Sequence, residues 1–216
     1  MKHVLILANG KPPSKRLFQK IFVYADCFIC ADGGANTAAR FNCTPDLIIG
    51  DLDSIEKETL AVFSNVEVKK LSDQNSTDLE KALTAAIRMK YKEIIVLGAT
   101  GGRLDHAIGN LSALAKFSRK AHITFIDNIG IFIAAHHSLE LNLPIGTIIS
   151  LLPLSRCSGI MTTGLKWNLK NESLEFGIRE STSNVIVSSP INIKVNKGSL
   201  IVFVVSDNEN LISKSK

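Results

Sequence analysis

The sequence predicts a two-part α/β protein, with a mostly parallel sheet flanked by helices followed by a smaller all-β domain. Three observations carry that reading. Short runs that are apolar at every position recur through the first two-thirds of the chain, at residues 4–8, 28–31, 47–50, 94–97 and 123–126. Strands buried on both faces of a sheet read this way, whereas strands with one wet face alternate. Stretches of helical period separate these runs, and such alternation argues for a Rossmann-like parallel sheet with helices on both faces. After about residue 135 the helical stretches stop and only strand-like runs remain.

In chain order, the first run ends at Asn9-Gly10-Lys11-Pro12-Pro13, which breaks it. Residues 17–24 then read as a helix after Pro12, Pro13 and Ser14. Residues 79–89 form a second helix, opened by Thr77 with Glu80 three positions on, a capping-box pattern. Across 104–117, Leu104, Ile108, Leu111, Leu114 and Ala115 recur at helical spacing. The later runs, at 139–143, 147–152, 185–187, 191–195 and 200–205, are parted by Gly, Pro, Asn and Ser. That is the texture of a β-sandwich or partial barrel. The chain thus divides into an α/β domain over 1–135 and a β-sandwich domain over 136–216, with 213–216 as a frayed tail.

Of the 216 residues, 45% are hydrophobic and 21% charged, ordinary globular usage for one large domain or two small ones. No apolar stretch approaches the ~20 residues of a spanning helix. The N-terminal run is also broken too early for a signal sequence. A cytoplasmic protein with no membrane partner is expected. The net charge of +5 is spread over scattered lysines and arginines, without a basic helix or aromatic–basic alternation. This argues against nucleic acid and suits an enzyme that attracts polyphosphate anions. Cys27 and Cys30 have C-x-x-C spacing, but Phe28 and Ile29 between them place the pair in a buried strand. No second pair completes a zinc site, and no disulfide framework is evident among the four cysteines.

The acidic residues fall where ligands bind in an open α/β sheet, beyond the carboxyl ends of the strands. One strand leads into Ala31-Asp32-Gly33-Gly34-Ala35-Asn36, another into Gly50-Asp51-Leu52-Asp53-Ser54. A third leads into Gly98-Ala99-Thr100-Gly101-Gly102-Arg103-Leu104-Asp105-His106. The loop Asp73-Gln74-Asn75-Ser76-Thr77-Asp78 opens a helix. Carboxylates about 5 Å apart repel by roughly 3 kcal/mol at an effective dielectric near 20. A shared divalent cation removes that penalty, and all-oxygen ligation with substrate phosphates favours Mg²⁺. The glycines allow backbone N–H groups to approach phosphate oxygens, and Arg103 offers a bidentate contact. Each piece alone has a plainer reading: Gly-Gly as a turn, Asp-x-Asp and Asp78 as helix caps, His106 as a structural hydrogen-bonder. Their arrival at successive strand ends favours a site. Neither a P-loop nor a G-x-G-x-x-G fingerprint is present. Asp51-Leu52-Asp53 resembles the Asp-x-Asp of haloacid-dehalogenase-type phosphatases and of glycosyltransferases. Ser54-Ile55-Glu56 departs from the small pair that the phosphatases need.

The whole succession resembles thiamine pyrophosphokinases: 31–36, 50–54, Gln74 with Ser76-Thr77-Asp78, and 101–106. Gly164-Leu165-Lys166-Trp167-Asn168-Leu169 and Ser183-Asn184 extend the likeness along nearly the whole chain. Asn75 stands where many members carry an acidic residue. The resemblance implies transfer of pyrophosphate from ATP to the hydroxyethyl oxygen of thiamine, giving thiamine diphosphate and AMP. It implies Mg²⁺ and polyphosphate held by Asp51, Asp53 and Asp78, with Asp32 nearby in the catalytic set. Gln74, Thr77, Lys81, Arg103, Asp105 and His106 would line the nucleotide region, and Trp167, Ser183 and Asn184 would receive thiamine. It also implies a homodimer whose sites are shared between chains. Two rival classes remain, another Mg²⁺-dependent phosphatase or sugar-nucleotide transferase, and a non-catalytic thiamine- or nucleotide-binding protein.

Overall fold

A computed structural model of the chain describes residues 2–206, and the run at 213–216 lies outside them. The chain divides into two units, Met1–Asn128 and Ile129–Lys216.

The first unit alternates strands and helices. In order these are β1 (His3–Leu7), α1 (Lys15–Phe22), β2 (Cys27–Ala31), α2 (Gly34–Arg40), β3 (Leu47–Gly50) and α3 (Lys57–Val62). They continue with β4 (Glu67–Lys70), α4 (Asp78–Arg88), β5 (Glu93–Leu97), α5 (Leu104–Phe117) and β6 (His122–Ile126). The strands lie in the order β6-β5-β1-β2-β3-β4, every neighbouring pair parallel. The apolar runs expected as buried strands are the central strands, with Ile6, Ile29, Cys30, Ile48 and Val96 fully buried.

Right-handed crossovers place α1–α3 on one face, because β1 to β4 advance in one direction, and α4 and α5 on the other, because β5 and β6 advance the opposite way. The packing agrees: α2 meets α3, α4 meets α5, and α4 lies across β1, β2 and β3. Ser14 caps α1, its Oγ accepting from the Leu17 N–H at 3.2 Å. Phe18 of that helix packs edge-on against Phe28 of β2, stacks on Phe22 and meets Phe41 at a tilt. The direction of winding reverses between β1 and β5, so a crevice opens past their carboxyl ends.

The second unit contains β7 (Gly130–Ala135), β8 (Ser138–Leu141), β9 (Ile148–Pro153), β10 (Cys157–Thr163), β11 (Lys170–Leu174), β12 (Ser181–Val185), β13 (Ile191–Lys194) and β14 (Leu200–Val205). They form two antiparallel four-stranded arrays, β12-β9-β14-β7 and β11-β10-β13-β8. No helix occurs among its described residues. Ile191, Ile193 and Val195 alternate into the core, the period of strands with one buried face, whereas Leu200, Ile201 and Val202 of β14 are buried in succession.

The sequence reading passed over six elements. β4, Glu-Val-Lys-Lys, is exposed along its whole length at the sheet edge, where charges discourage further pairing. α2 and α3 are too short to show a period. β7 is apolar but starts at Gly130, while β10 and β11 carry Ser, Thr, Lys and Asn.

Candidate active site

The crevice of the first unit is a cleft of about 930 Å³ lined by loops from five strand and helix ends. β2 delivers Asp32 in a left-handed conformation, φ 45°, its N–H donating to the Ile49 carbonyl at 2.9 Å. Asp and Asn tolerate this region better than other side chains with a Cβ. Asp32 is 3% exposed, and its Oδ1 is buried without a hydrogen-bond partner. Burial pushes its carboxyl above the usual carboxylate range, against hydrogen bonds from Ser54 and the Gly33 N–H, and the charges of Asp78 and Asp51 add to the rise.

β3 ends at Gly50, where a Cβ would stand 2.8 Å from the Asp32 Cβ and 3.1 Å from Asp78 Oδ1. Glycine there lets the two carboxylates close in. Asp51 follows, its N–H donating to Asp78 Oδ1 at 3.2 Å. Asp32, Asp51 and Asp78 each offer an oxygen within 4.8 Å of the others. An orphaned buried carboxylate oxygen inside such a group, over a gap that any side chain at position 50 would fill, fits a hard divalent cation. Asp53, expected among the metal ligands, lines the same cleft outside this cluster, while Asp32, expected beside it, lies inside. The Asp53 N–H donates to Asp51 Oδ1 at 3.3 Å, and its own Oδ1 accepts from Ser54 Oγ at 2.9 Å. Leu52 between the two aspartates has φ 68°.

Asp78 opens α4. The expected capping box is present, with Thr77 Oγ1 accepting from the Glu80 N–H and the Glu80 carboxylate accepting from the Thr77 N–H. Lys81, 6% exposed, reaches back from the same turn to Asp78 Oδ1 at 2.9 Å. A buried ammonium beside the cluster tempers its negative charge without filling its centre. Gln74, Thr77 and Lys81 all line the cleft. Asp73 gathers its loop by accepting from the Asn75 N–H and from Ser76 Oγ at 2.6 Å.

The opposite wall is the loop after β5. Gly98, Gly101 and Gly102 have φ of 68°, 75° and 72°, and a Cβ on Gly98 would meet the Ala8 carbonyl oxygen at 2.5 Å. The loop is fastened to the end of β1 by Gly10 N–H to the Gly98 carbonyl and Lys11 N–H to that of Thr100. Asn110 of α5 donates to the Ala99 carbonyl, and Thr100 Oγ1 donates to Asp127. Arg103 and His106 line the cleft. Asp105 does not; it takes a two-point grip on the exposed Arg103 guanidinium, at 3.2 and 2.6 Å. That hydrogen-bonded pairing holds its carboxyl at about 2.

The second unit holds the remaining expected residues. Trp167 is 57% exposed, with Lys166 Nζ 4.6 Å from its ring centroid. Asn184 is 1% exposed and grips the Trp167 backbone, its Nδ2 donating to the carbonyl at 2.8 Å and its Oδ1 accepting from the N–H at 3.1 Å. Ser183 lies at an irregularity within β12, φ 56°, with its N–H on Ser150 Oγ. Sequence reasoning missed Asn9, Gly10, Lys11 and Asn110, all on the cleft wall. The rule that found the other loops applies equally to the end of β1, where Asn9-Gly10-Lys11 was read only as a break.

Comparison with known proteins places these features. The thiamin pyrophosphokinase catalytic-domain profile matches residues 18–126, and that of the thiamin pyrophosphokinase vitamin B1 binding domain matches residues 136–200. Thiamine pyrophosphokinase 1 of Oryza sativa subsp. japonica is 33% identical, over 88% of this chain and 83% of its own length. Thiamin pyrophosphokinase 1 of Caenorhabditis elegans is 30% identical, over 95% and 90%. The crystal structure of thiamine pyrophosphokinase from Bacillus subtilis superposes with a TM-score of 0.80 at 26% identity, covering 95% of this chain and 100% of that one. Apart from Ala8 to Lys11, the cleft wall lies in the part matched by the catalytic domain and Trp167 in the part matched by the vitamin B1 binding domain, and the chain belongs to the thiamin pyrophosphokinase family.

Proposed function

We propose that the hydroxyethyl oxygen of thiamine attacks the β-phosphorus of ATP at the cleft of the first unit. The new bond joins that oxygen to Pβ, the bond from Pβ to the α,β-bridging oxygen breaks, AMP leaves, and the hydroxyl proton passes to a carboxylate of the cleft. The observation that carries this reading is the cluster of Asp32, Asp51 and Asp78, with a buried oxygen lacking any protein partner. Asp51 and Asp78, with Asp32 beneath them, would hold Mg²⁺, and Asp53 faces the polyphosphate from the same loop. The ion, when bound, neutralises polyphosphate charge and polarises the phosphoryl oxygens.

The remaining work is positioning and charge stabilisation, which dominate phosphoryl transfer. Lys81 fixes Asp78 from below. Arg103, kept in place by Asp105, meets the phosphates bidentately, and the loop at 98–102 presents backbone N–H groups to them. Gln74, Thr77 and His106 complete the nucleotide wall. Trp167 offers its ring for stacking on thiamine, with Ser183 beside it and Asn184 beneath. All four cysteines are free thiols, which fits a reducing cytoplasm.

The test is AMP formation. AMP from ATP only when thiamine is present supports the transferase. Phosphate release without thiamine would instead indicate a phosphatase, and ligand binding without turnover a binding protein.

We also propose a homodimer in which the cleft of one chain works with Trp167 of the other. A two-fold dimer repeats such a contact twice. Mixing Asp51→Asn with Trp167→Ala under subunit exchange, assayed at thiamine far below the KM of the tryptophan variant, would then give heterodimers with one doubly damaged site and one intact. With random exchange about a quarter of wild-type activity returns. No recovery despite demonstrated exchange rejects the shared site.

A further inference from the structure

Asn36, the third residue of α2, is 9% exposed and is not part of the cleft wall. Its amide is spent on the neighbouring loop: Nδ2 donates to the Ser54 carbonyl at 2.9 Å, and Oδ1 accepts from the Glu56 N–H at 3.0 Å. Those two groups flank the segment that follows Asp51 and Asp53. The backbone around Asn36 is tied just as closely to Asp32, with the Ala35 N–H on the Asp32 carbonyl and the Asn36 N–H on that of Gly33. One side chain therefore links the loop carrying Asp32 to the loop carrying Asp51.

That loop needs fastening. Leu52 holds φ 68°, a region unfavourable for a residue of its kind, and such conformations persist only where their surroundings over-determine them. The other fastenings, Asp51 N–H to Asp78, Asp53 N–H to Asp51 and Ser54 to Asp32, use carboxylate oxygens of the cluster itself. A cation would draw on those same oxygens. The Asn36 amide is neutral and stands apart from them, so its grip is independent of whether a cation is bound.

We propose that Asn36 is a positioning residue of the metal site: it fixes the Asp51 loop relative to Asp32 and so presets the spacing of the carboxylates. The proposal rests on the reading of the cluster as a Mg²⁺ site. Partners of this kind, one step removed from a metal, typically account for 10- to 100-fold in metal affinity.

The experiment measures Mn²⁺ binding to the full chain, as the loss of the free-ion paramagnetic resonance signal, alongside thermal unfolding and the Mg²⁺ dependence of kcat. Asn36→Ala should weaken Mn²⁺ binding by about tenfold. It should lower kcat at limiting Mg²⁺, with recovery at high Mg²⁺, and leave KM for thiamine unchanged. Adding Leu52→Gly to Asn36→Ala should restore part of the Mn²⁺ affinity, because glycine holds the left-handed turn without strain. A purely structural role in α2 would not be rescued from position 52. If Asn36→Ala does not fold, Asn36→Ser is the milder variant, with a smaller shift in the same direction. Wild-type Mn²⁺ affinity in the folded variant overturns the proposal, as does a weakened affinity that Leu52→Gly leaves untouched. A wild-type chain that binds no Mn²⁺ removes the metal reading itself, a different failure.

Discussion

At the α/β rim, the carboxylates of Asp51 and Asp78 crowd within 4.8 Å of the buried Asp32, with Lys81 to temper them. On the β unit, Trp167 stands 57% exposed while Asn184, fully enclosed, grips its backbone from beneath. The first arrangement is electrostatically unfavourable without a cation. The second leaves apolar surface in water. Both groups are held ready at some cost in stability, but the first cost is charge and the second is hydration. Mutations at the two places should therefore fail in different ways.

The largest effect should come from Asp51→Asn or Asp53→Asn. Losing either carboxylate from the loop after β3 should lower kcat by roughly 10²–10⁴-fold with the fold intact. Near-wild-type kcat for both at saturating Mg²⁺ would break the electrostatic half of the comparison. Next is Trp167→Ala, which should remove about 1–3 kcal/mol of thiamine binding. The change should appear in KM for thiamine and leave KM for ATP nearly unchanged. As the single tryptophan of the chain, Trp167 should also change its emission on thiamine addition. Constant emission at saturating thiamine, with no KM effect in the variant, would mean the ring serves another purpose.

The smallest effect sharpens the contrast most. Asp32→Asn removes a buried charge and its repulsion from Asp51 and Asp78, and Asn accepts the left-handed backbone. The metal-free variant should unfold about 2–4 °C higher than wild type, the equivalent of about 1 kcal/mol for a chain of this length. It should also lose the stabilisation that Mg²⁺ gives the wild type. A lower melting temperature without metal would show that the Asp32 charge is not a source of stress.

Much of this was legible in the residues. The central strands could be read because they are buried on both faces and hence apolar throughout, as Ile48 and Ile49 of β3 illustrate. The helix at 104–117 matched residue for residue because its period is long enough to show. β4 could not be read, since Glu67, Lys69 and Lys70 record its edge position and not its pairing. At the site, carboxylates announce themselves by type, which is why Asp32, Asp51, Asp53 and Asp78 were found. Which three of the four converge depends on turn geometry, and Asp32 rather than Asp53 joins the cluster because β2 and β3 are adjacent and Gly50 leaves room. Asn36 and Asn110 look like ordinary polar residues in sequence. Their importance comes from the backbone groups they reach across the fold, which no local pattern encodes.

The route of α4 has a consequence for how the protein is made. This helix begins at Asp78 and lies across β1, β2 and β3 on its way from the edge strand β4 to the inner strand β5. Asp78 therefore meets Asp32 and Asp51 at the start of the crossover that passes over the most strands of the unit. Parallel strands joined by such excursions pair distant stretches of chain, which slows folding. A nascent or partly folded chain would hold its carboxylates far apart and have no affinity for the cation. Metal uptake during refolding should follow the appearance of helical signal and coincide with the last slow phase, making the ion a timer for completed assembly.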